Sequence, residues 1–351
     1  MNNKIHLILT VDYEIFGNGS GDIYPCVVSP ANKIVSIANF FKAPVTFFVE
    51  SLEFIAMQKC DELYFLVEEV QNQLQRIFLY GHDIQLHLHP QWAHAVHQYE
   101  NSFLLDMSFW RIGDLSGNDL SKIILKGKRW LEEILTTGYR RYNCFVFRAG
   151  GWCIQPSSVA IQSLLESGIL IDSTVAPGLW NSSKNEWYDF RKSPLKPFWN
   201  AEFDICNSVQ SGIWEVPIAT GRIDRWRHLQ AIKKARISSN MGLANRCFGN
   251  YKGPNCTITA LHAKIAKIRR LGNVMLDFST MPADVLIDIT KQWIARYHDS
   301  KVPIPVVAIA HTKNFTERSA KALDKYLAWA ERNTIVFSTY SNWLNTIKKY
   351  D

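Results

Sequence analysis

The stretch Gly81-His82-Asp83-Ile84-Gln85-Leu86-His87-Leu88-His89-Pro90-Gln91-Trp92 belongs to a segment, His82 to His97, that holds five of the chain's ten histidines. Ile84, Leu86 and Leu88 alternate with Gln85, His87 and His89. An extended strand therefore puts both imidazoles on one face and the aliphatic side chains on the other. Neutral imidazoles that converge are metal ligands by preference, and a strand ended by proline is where a parallel barrel displays reactive side chains. A lone His-x-His pair is more often a polar strand face, so the other strand ends must decide. His82 lies five residues before His87, on the opposite face, and reads as a structural hydrogen-bonding residue. His94 and His97 read as lining or capping a helix.

Outward from this stretch, apolar strand-like runs recur at 5–11, 44–49, 145–147, 170–172, 214–218, 274–278, 306–310 and 335–339. Helical patterns fall between them at 31–41, 61–78, 120–135, 156–167, 282–297 and 317–332, several opened by capping residues. The alternation predicts parallel βαβ units, and seven or eight of them predict an α/β barrel with its chemistry at the C-terminal strand ends. One domain over 1–351 is expected, with an excursion over 176–270. Within it, 178–196 is rich in Asn, Ser, Trp and Pro, and 238–254 in Asn and Gly. The first strand ends Thr10-Val11-Asp12-Tyr13-Glu14, where alternation sets Asp12 and Glu14 on one side and Tyr13 on the other.

With 47% hydrophobic and 20% charged residues in 351, the chain is globular rather than disordered. The run 5–11 is too short to span a bilayer and lacks a secretory cleavage site. Seven scattered cysteines, never spaced Cys-x-x-Cys, argue against a disulfide framework or a thiolate zinc site and favour a cytoplasmic location. Charge is concentrated. Residues 222–270 carry twelve Lys or Arg against Asp224 alone, so +11 of the overall +7 resides there and the remainder is −4. That imbalance suggests a phosphate-bearing or membrane-surface partner; no nucleic-acid partner is expected.

Taken in order, Asp12-Tyr13-Glu14, Pro44-Val45-Thr46-Phe47-Phe48, the histidine stretch, Phe147-Arg148-Ala149-Gly150-Gly151-Trp152, Ile171-Asp172-Ser173-Thr174 and Ala308-Ile309-Ala310-His311-Thr312-Lys313 resemble the polysaccharide deacetylases, the NodB-homology or family 4 carbohydrate esterases. The resemblance covers roughly 5–175 and 300–345. It implies a deformed (β/α)7-type barrel and one divalent metal, zinc foremost, that serves hydrolysis of an acetamido or acetyl ester group. Glu14, His87 and His89 are then the expected metal ligands. By the same resemblance Asp12 is the general base, Arg148 positions it, His311 protonates the leaving group, and Asp172 tunes His311. Gly151 would supply an oxyanion donor and Trp152 a ring against the sugar.

Three departures stand out. Tyr13 occupies the place of the family's metal-binding aspartate, which passes that role to Glu14. A histidine is missing at Gln91, so the second imidazole is His89 or, from the following turn, His94, with His89 preferred. Gly150 and Gly151 replace the usual Pro and Tyr. The expected activity is removal of an acetyl group, N-acetyl before O-acetyl, from a sugar in surface or envelope polysaccharide metabolism. The sugar would carry a phosphate or lipid-pyrophosphate, and peripheral membrane contact would follow. Two alternatives are an allantoinase-like hydrolase of a cyclic or small amide and a noncatalytic carbohydrate-binding barrel.

Overall fold

The computed structural model describes residues 5–99, 102–136, 141–183, 186–237, 247–248 and 272–348, with the backbone alone at Tyr99, 232–237 and 247–248. Seven strands share one sheet: β1 (Ile5–Tyr13), β2 (Val45–Glu50), β3 (Asp83–Leu88), β4 (Val146–Ala149), β5 (Ile171–Asp172), β6 (Ile213–Glu215) and β7 (Ile304–His311). Their order is β6-β5-β4-β3-β2-β1-β7, and every neighbouring pair in it is parallel. Trp199–Ala201 adds an antiparallel edge to β6, and Val336–Phe337 pairs with the start of β1.

The gap between β6 and β7 is bridged by single backbone bonds. Ala219 N–H donates to Val307 O at 2.9 Å, Leu276 N–H to Ala219 O at 2.8 Å, and Phe278 N–H to Ile309 O at 2.9 Å. The sheet therefore curls into a deformed α/β barrel instead of closing through a continuous ladder. Helices cover its outside, which is why β2 and β3 are buried along their whole length, as parallel strands covered on both faces must be. Helix Gly117–Leu135 lies close on β3 because of Gly127. A Cβ there would stand 2.4 Å from Ser51 Oγ and 3.0 Å from Leu86 Cδ1.

Most expected elements form, Glu317–Arg332 with the bounds read from sequence and a Thr316 side chain capping Ser319 N–H. Others change. The helix expected from 61 begins as a short 3-10 turn, Asp61–Leu63, before Tyr64–Leu79. The strand expected at 274–278 is Asn273–Met275, antiparallel to Thr220–Arg222 and outside the main sheet. The excursion over 176–270 is interrupted, because Ile213–Glu215 is β6 itself and buries Ile213 and Glu215 completely. Ser51–Met57 and the hairpin Val96–Tyr99 with Ser102–Asp106 were not foreseen.

Of the basic segment, Arg222, Arg225 and Arg227 have described side chains; Lys233, Lys234 and Arg236 have backbone only, on helix Arg225–Ile237, and the remaining six lie outside the described residues. Arg227 spends its charge on Asp284 at 2.6 Å and Asp288 at 3.2 Å. Among the described residues no helix is long and apolar enough to cross a membrane, and the five cysteines described with side chains are free.

Candidate active site

Strand register assembles the site. Asp12 is paired with His311 across β1 and β7, while Glu50, His87 and Arg148 form one row across β2, β3 and β4. Asp12, His87 and His311 line a cavity of about 320 Å3 at the C-terminal mouth of the barrel together with Glu14, Gly151 and Trp152, while Glu50 and Arg148 lie buried behind its wall. Every titratable group at its base is buried: Asp12 and Glu14 are 2% exposed, His87 1% and Arg148 0%.

Arg148 Nη1 donates to Asp12 Oδ1 at 2.7 Å and to Thr10 Oγ1 at 3.0 Å, and its Nε donates to Ser173 O at 2.9 Å. Burial alone would raise the Asp12 pKa, but the Arg148 guanidinium, helped by His87 and His311, holds it below the usual carboxylate value. The other oxygen, Oδ2, lies 3.4 Å from His311 Nε2. Burial lowers the His311 pKa, and its Nδ1 has no hydrogen-bond partner among the described residues.

Glu14 is divided between two kinds of neighbour. Its Oε1 accepts from Lys313 Nζ at 2.7 Å, and Lys313 also donates to Ile15 O at 3.1 Å. Its Oε2 faces His87 Nε2 at 3.6 Å and His89 Nδ1 at 3.1 Å. Burial works against its charge, yet Lys313 and the two histidines hold its pKa well below the usual value. His87 Nδ1 donates to Arg148 O at 2.9 Å, which fixes the tautomer and leaves Nε2 as a lone pair. Glu14 Oε2 and His87 Nε2 are both buried without a hydrogen-bond partner. A carboxylate oxygen and an imidazole nitrogen facing each other at that distance, with His89 Nδ1 beside them, are a donor set that suits a cation.

His89 completes a group of three whose donor atoms lie within 4.8 Å of one another. Its Nδ1 is aligned on Glu50 Oε2 at 3.0 Å, and the same oxygen accepts the His89 backbone N–H. Burial disfavours the charged imidazole, but Glu14 and Glu50 outweigh it and raise its pKa to about 10. A proton on His89 and a divalent cation thus answer the same excess of carboxylate, and the donor set Glu14, His87 and His89 fits such a cation. Glu50 stays satisfied if His89 turns its lone pair to the ion, because Oε1 accepts Leu52 N–H at 3.0 Å and Oε2 keeps the His89 backbone N–H. Gly150 is needed here. A Cβ at that position would stand 2.5 Å from His89 Cδ2, which explains why the usual proline is absent.

Two further residues of the cavity wall follow β4. Gly151 adopts φ 57° and Trp152 φ 58°, and this turn carries the Trp152 ring to 5.8 Å from the His311 ring and 6.0 Å from Tyr188. The Trp152 Nε1–H is buried without a partner.

Other sequence expectations resolve as follows. Tyr13 points away from the site, packing against Phe54 and donating its hydroxyl to Gln73 Oε1 at 2.6 Å. Gln91 Nε2 donates to Gly17 O at 2.9 Å. His82 Nδ1 accepts Val45 N–H at 3.1 Å, and His94 packs on Phe109 as an exposed residue outside the donor group. One assignment is corrected: Asp172 does not tune His311. It accepts from Thr174 Oγ1 at 2.7 Å and is registered with Glu215, because β5 and β6 lie across the sheet from β7. The carboxylates that act on His311 are Asp12 at 3.4 Å, then Glu14, and more weakly Asp277, which lies beside Ile309 of β7 and in the cavity wall. Glu50, Lys313 and Asp277 were missed. Glu50 ends a strand and Lys313 and Asp277 lie two residues beyond one, which was the available signal.

No family model matches the chain, and no curated protein matches it. Solved structures do. It is similar to a Mycobacterium smegmatis protein assigned to the polysaccharide deacetylases (13% identity, TM-score 0.50, covering 100% of this chain and 92% of that one). It is also similar to the Puue allantoinase (10% identity, TM-score 0.50, covering 98% and 90%). A family 4 carbohydrate esterase pseudoenzyme from Bacillus anthracis matches at 10% identity and TM-score 0.44, covering 98% and 66%. The fold resemblance read from the ordered strand-end motifs is therefore found in three dimensions: the chain has the deformed α/β barrel of the polysaccharide deacetylase kind.

Proposed function

We propose that this protein is a metal-dependent hydrolase that removes an acetyl group, N-acetyl before O-acetyl, from a sugar of surface or envelope polysaccharide, acting in the cytoplasm. The observation that carries this reading is the buried, unsatisfied pair Glu14 Oε2 and His87 Nε2 with Asp12 and His311 beside it. Glu14, His87 and His89 would hold a divalent ion, zinc foremost, which when bound polarises the acyl oxygen and acidifies water.

The chain's own groups do the rest. Arg148 keeps Asp12 ionised and pins Oδ1, so Oδ2 is the oxygen free to take a proton from the attacking water. The water oxygen bonds to the acyl carbon as its bond to the sugar nitrogen or oxygen breaks. His311 is neutral at rest, since burial lowers its pKa. The proton it gives to the leaving group must therefore arrive during turnover, and Asp12 Oδ2 at 3.4 Å is the donor at hand. Acetate and the deacetylated sugar leave. Gly151 N–H would hold the acyl oxygen, and Trp152, whose buried Nε1–H has no partner among the described residues, would contact the sugar.

A small cyclic amide is the second reading, favoured by a cavity of only about 320 Å3 walled by Trp110 and Trp152. Metal analysis combined with acetate release across acetylated sugars, and ring opening across cyclic amides, tests both. Stoichiometric metal with acetate release supports the deacetylase. Ring opening alone supports the amidohydrolase, and metal-free protein that binds sugar without turnover supports a noncatalytic barrel.

A further inference from the structure

A second cavity, of about 530 Å3, lies between the hairpin formed by Trp180–Ser182 with Trp187–Asp189 and the pair formed by Thr220–Arg222 with Asn273–Met275. Arg191, Arg222 and Arg296 line it. Among the described residues Asp189 is the one carboxylate within 4.0 Å of any of the three, so the cavity carries excess positive charge. Two of the guanidiniums are anchored, and the third extends from a fixed backbone. Arg191 grips Asp189 at 2.5 and 2.8 Å through Nη2 and Nε, leaving the Nη1 protons outside that pair, and lies 4.8 Å over the Trp180 ring. Arg296 donates to Thr220 O at 3.4 Å and lies 5.4 Å over the Trp293 ring. The backbone N–H and C=O of Arg222 are both bound by the Gln292 side chain at 2.8 Å, which fixes the point from which its exposed guanidinium reaches the cavity.

Guanidiniums in excess over carboxylate, one of them set over the Trp180 indole, match phosphate oxygens, whereas a neutral hydroxylated ligand would leave that excess charge unanswered. The same hairpin also borders the candidate active site. Glu186 of the same hairpin lines the first cavity, and Tyr188 packs on Trp152. From Glu186 to Arg191 the chain spans at most ~17 Å even if fully extended. The two cavities are thus bordered by residues of one short hairpin.

We propose that this cleft binds a phosphate or diphosphate group carried by the sugar whose acetyl group enters the first cavity. The sugar half of this statement rests on the deacetylase reading; the anion half does not. The first test is calorimetric titration of the full chain with inorganic pyrophosphate. Pyrophosphate binds the wild-type protein more weakly as salt rises, and Arg222→Gln weakens it about tenfold, the effect of one charge-assisted contact. Arg222 is exposed, so this variant folds; Arg222→Lys recovers part of the affinity, and Arg296→Gln gives an independent loss. Absence of pyrophosphate binding, or equal binding by wild type, R222Q and R296Q, overturns the proposal.

The second test compares acetate release from an acetylated sugar 1-phosphate and from the neutral sugar, with Arg222→Gln raising KM for the phosphorylated sugar alone. Pyrophosphate binding without acetate release from any sugar would remove the deacetylase reading and leave the anion site. Acetate release from both sugars alike, without pyrophosphate binding, would do the reverse. Competition by a nucleoside diphosphate points to a soluble carrier and competition by lipid-diphosphate vesicles to a membrane one; competition by neither overturns the proposal.

Discussion

Two pairs of carboxylates sit in one barrel with similar burial and pKa values moved in opposite directions. Asp12 and Glu14 at the end of β1 are 2% exposed, and Asp172 and Glu215 across β5 and β6 are 0% exposed. Burial penalises the ionised form of all four. At the first pair Arg148, Lys313 and the histidines more than offset it, so both pKa values fall. At the second pair burial prevails: Asp172 is raised, with Glu215 and Thr174 only moderating the rise, and Glu215 is pushed well up, further by Asp172. Burial by itself does not decide the protonation state; a permanently charged partner within contact distance does. The surroundings of the first pair favour the ionised form, and those of the second favour the protonated one.

The largest effect should come from the reactive pair. Asp12→Asn removes the proposed base and should lower turnover by about 10²–10⁴-fold while metal content by elemental analysis stays near that of the wild type. Unchanged turnover would take Asp12 out of the mechanism. Arg148→Met leaves Asp12 as an uncompensated buried charge and should cost about 3–5 kcal/mol in chemical denaturation. Adding Asp12→Asn to it should return part of that loss, and an additive double variant would break the claim that the cation sets the charge of this pair.

A smaller change is expected at Gly150→Ala. Its Cβ displaces His89, and disturbing a ligand's support typically costs about 10–100-fold in metal affinity. Wild-type affinity in this variant would exclude His89 as a ligand. The smallest effect concerns the second pair. Glu215 has a folded-state pKa raised above its unfolded value, so the folded chain holds more protons than the unfolded chain over that window. Stability should therefore be unaffected by this group below the unfolded pKa and decline as pH rises from there toward the folded pKa. Glu215→Gln should flatten that decline in melting experiments, and an identical pH profile would show that the pair is ionised after all.

Some of this molecule is determined by sequence alone. Alternation with period two is local, so Asp12 with Glu14 and His87 with His89 had to share strand faces, and Tyr13 had to turn from the site toward Gln73. The apolar runs and caps located most strands and helices for the same reason. What a strand end touches is not local. Register across β2, β3 and β4 brought Glu50 to His89 and the Arg148 carbonyl to His87, and strand order kept Asp172 on Thr174 and Glu215 while setting Asp277 near His311. Sequence spacing carries no information about these distances, because they depend on how far neighbouring strands are staggered and on where the sheet curls closed. Lys313 illustrates both: its place after β7 is written in the chain, but its hold on Glu14 exists only because β7 lies beside β1.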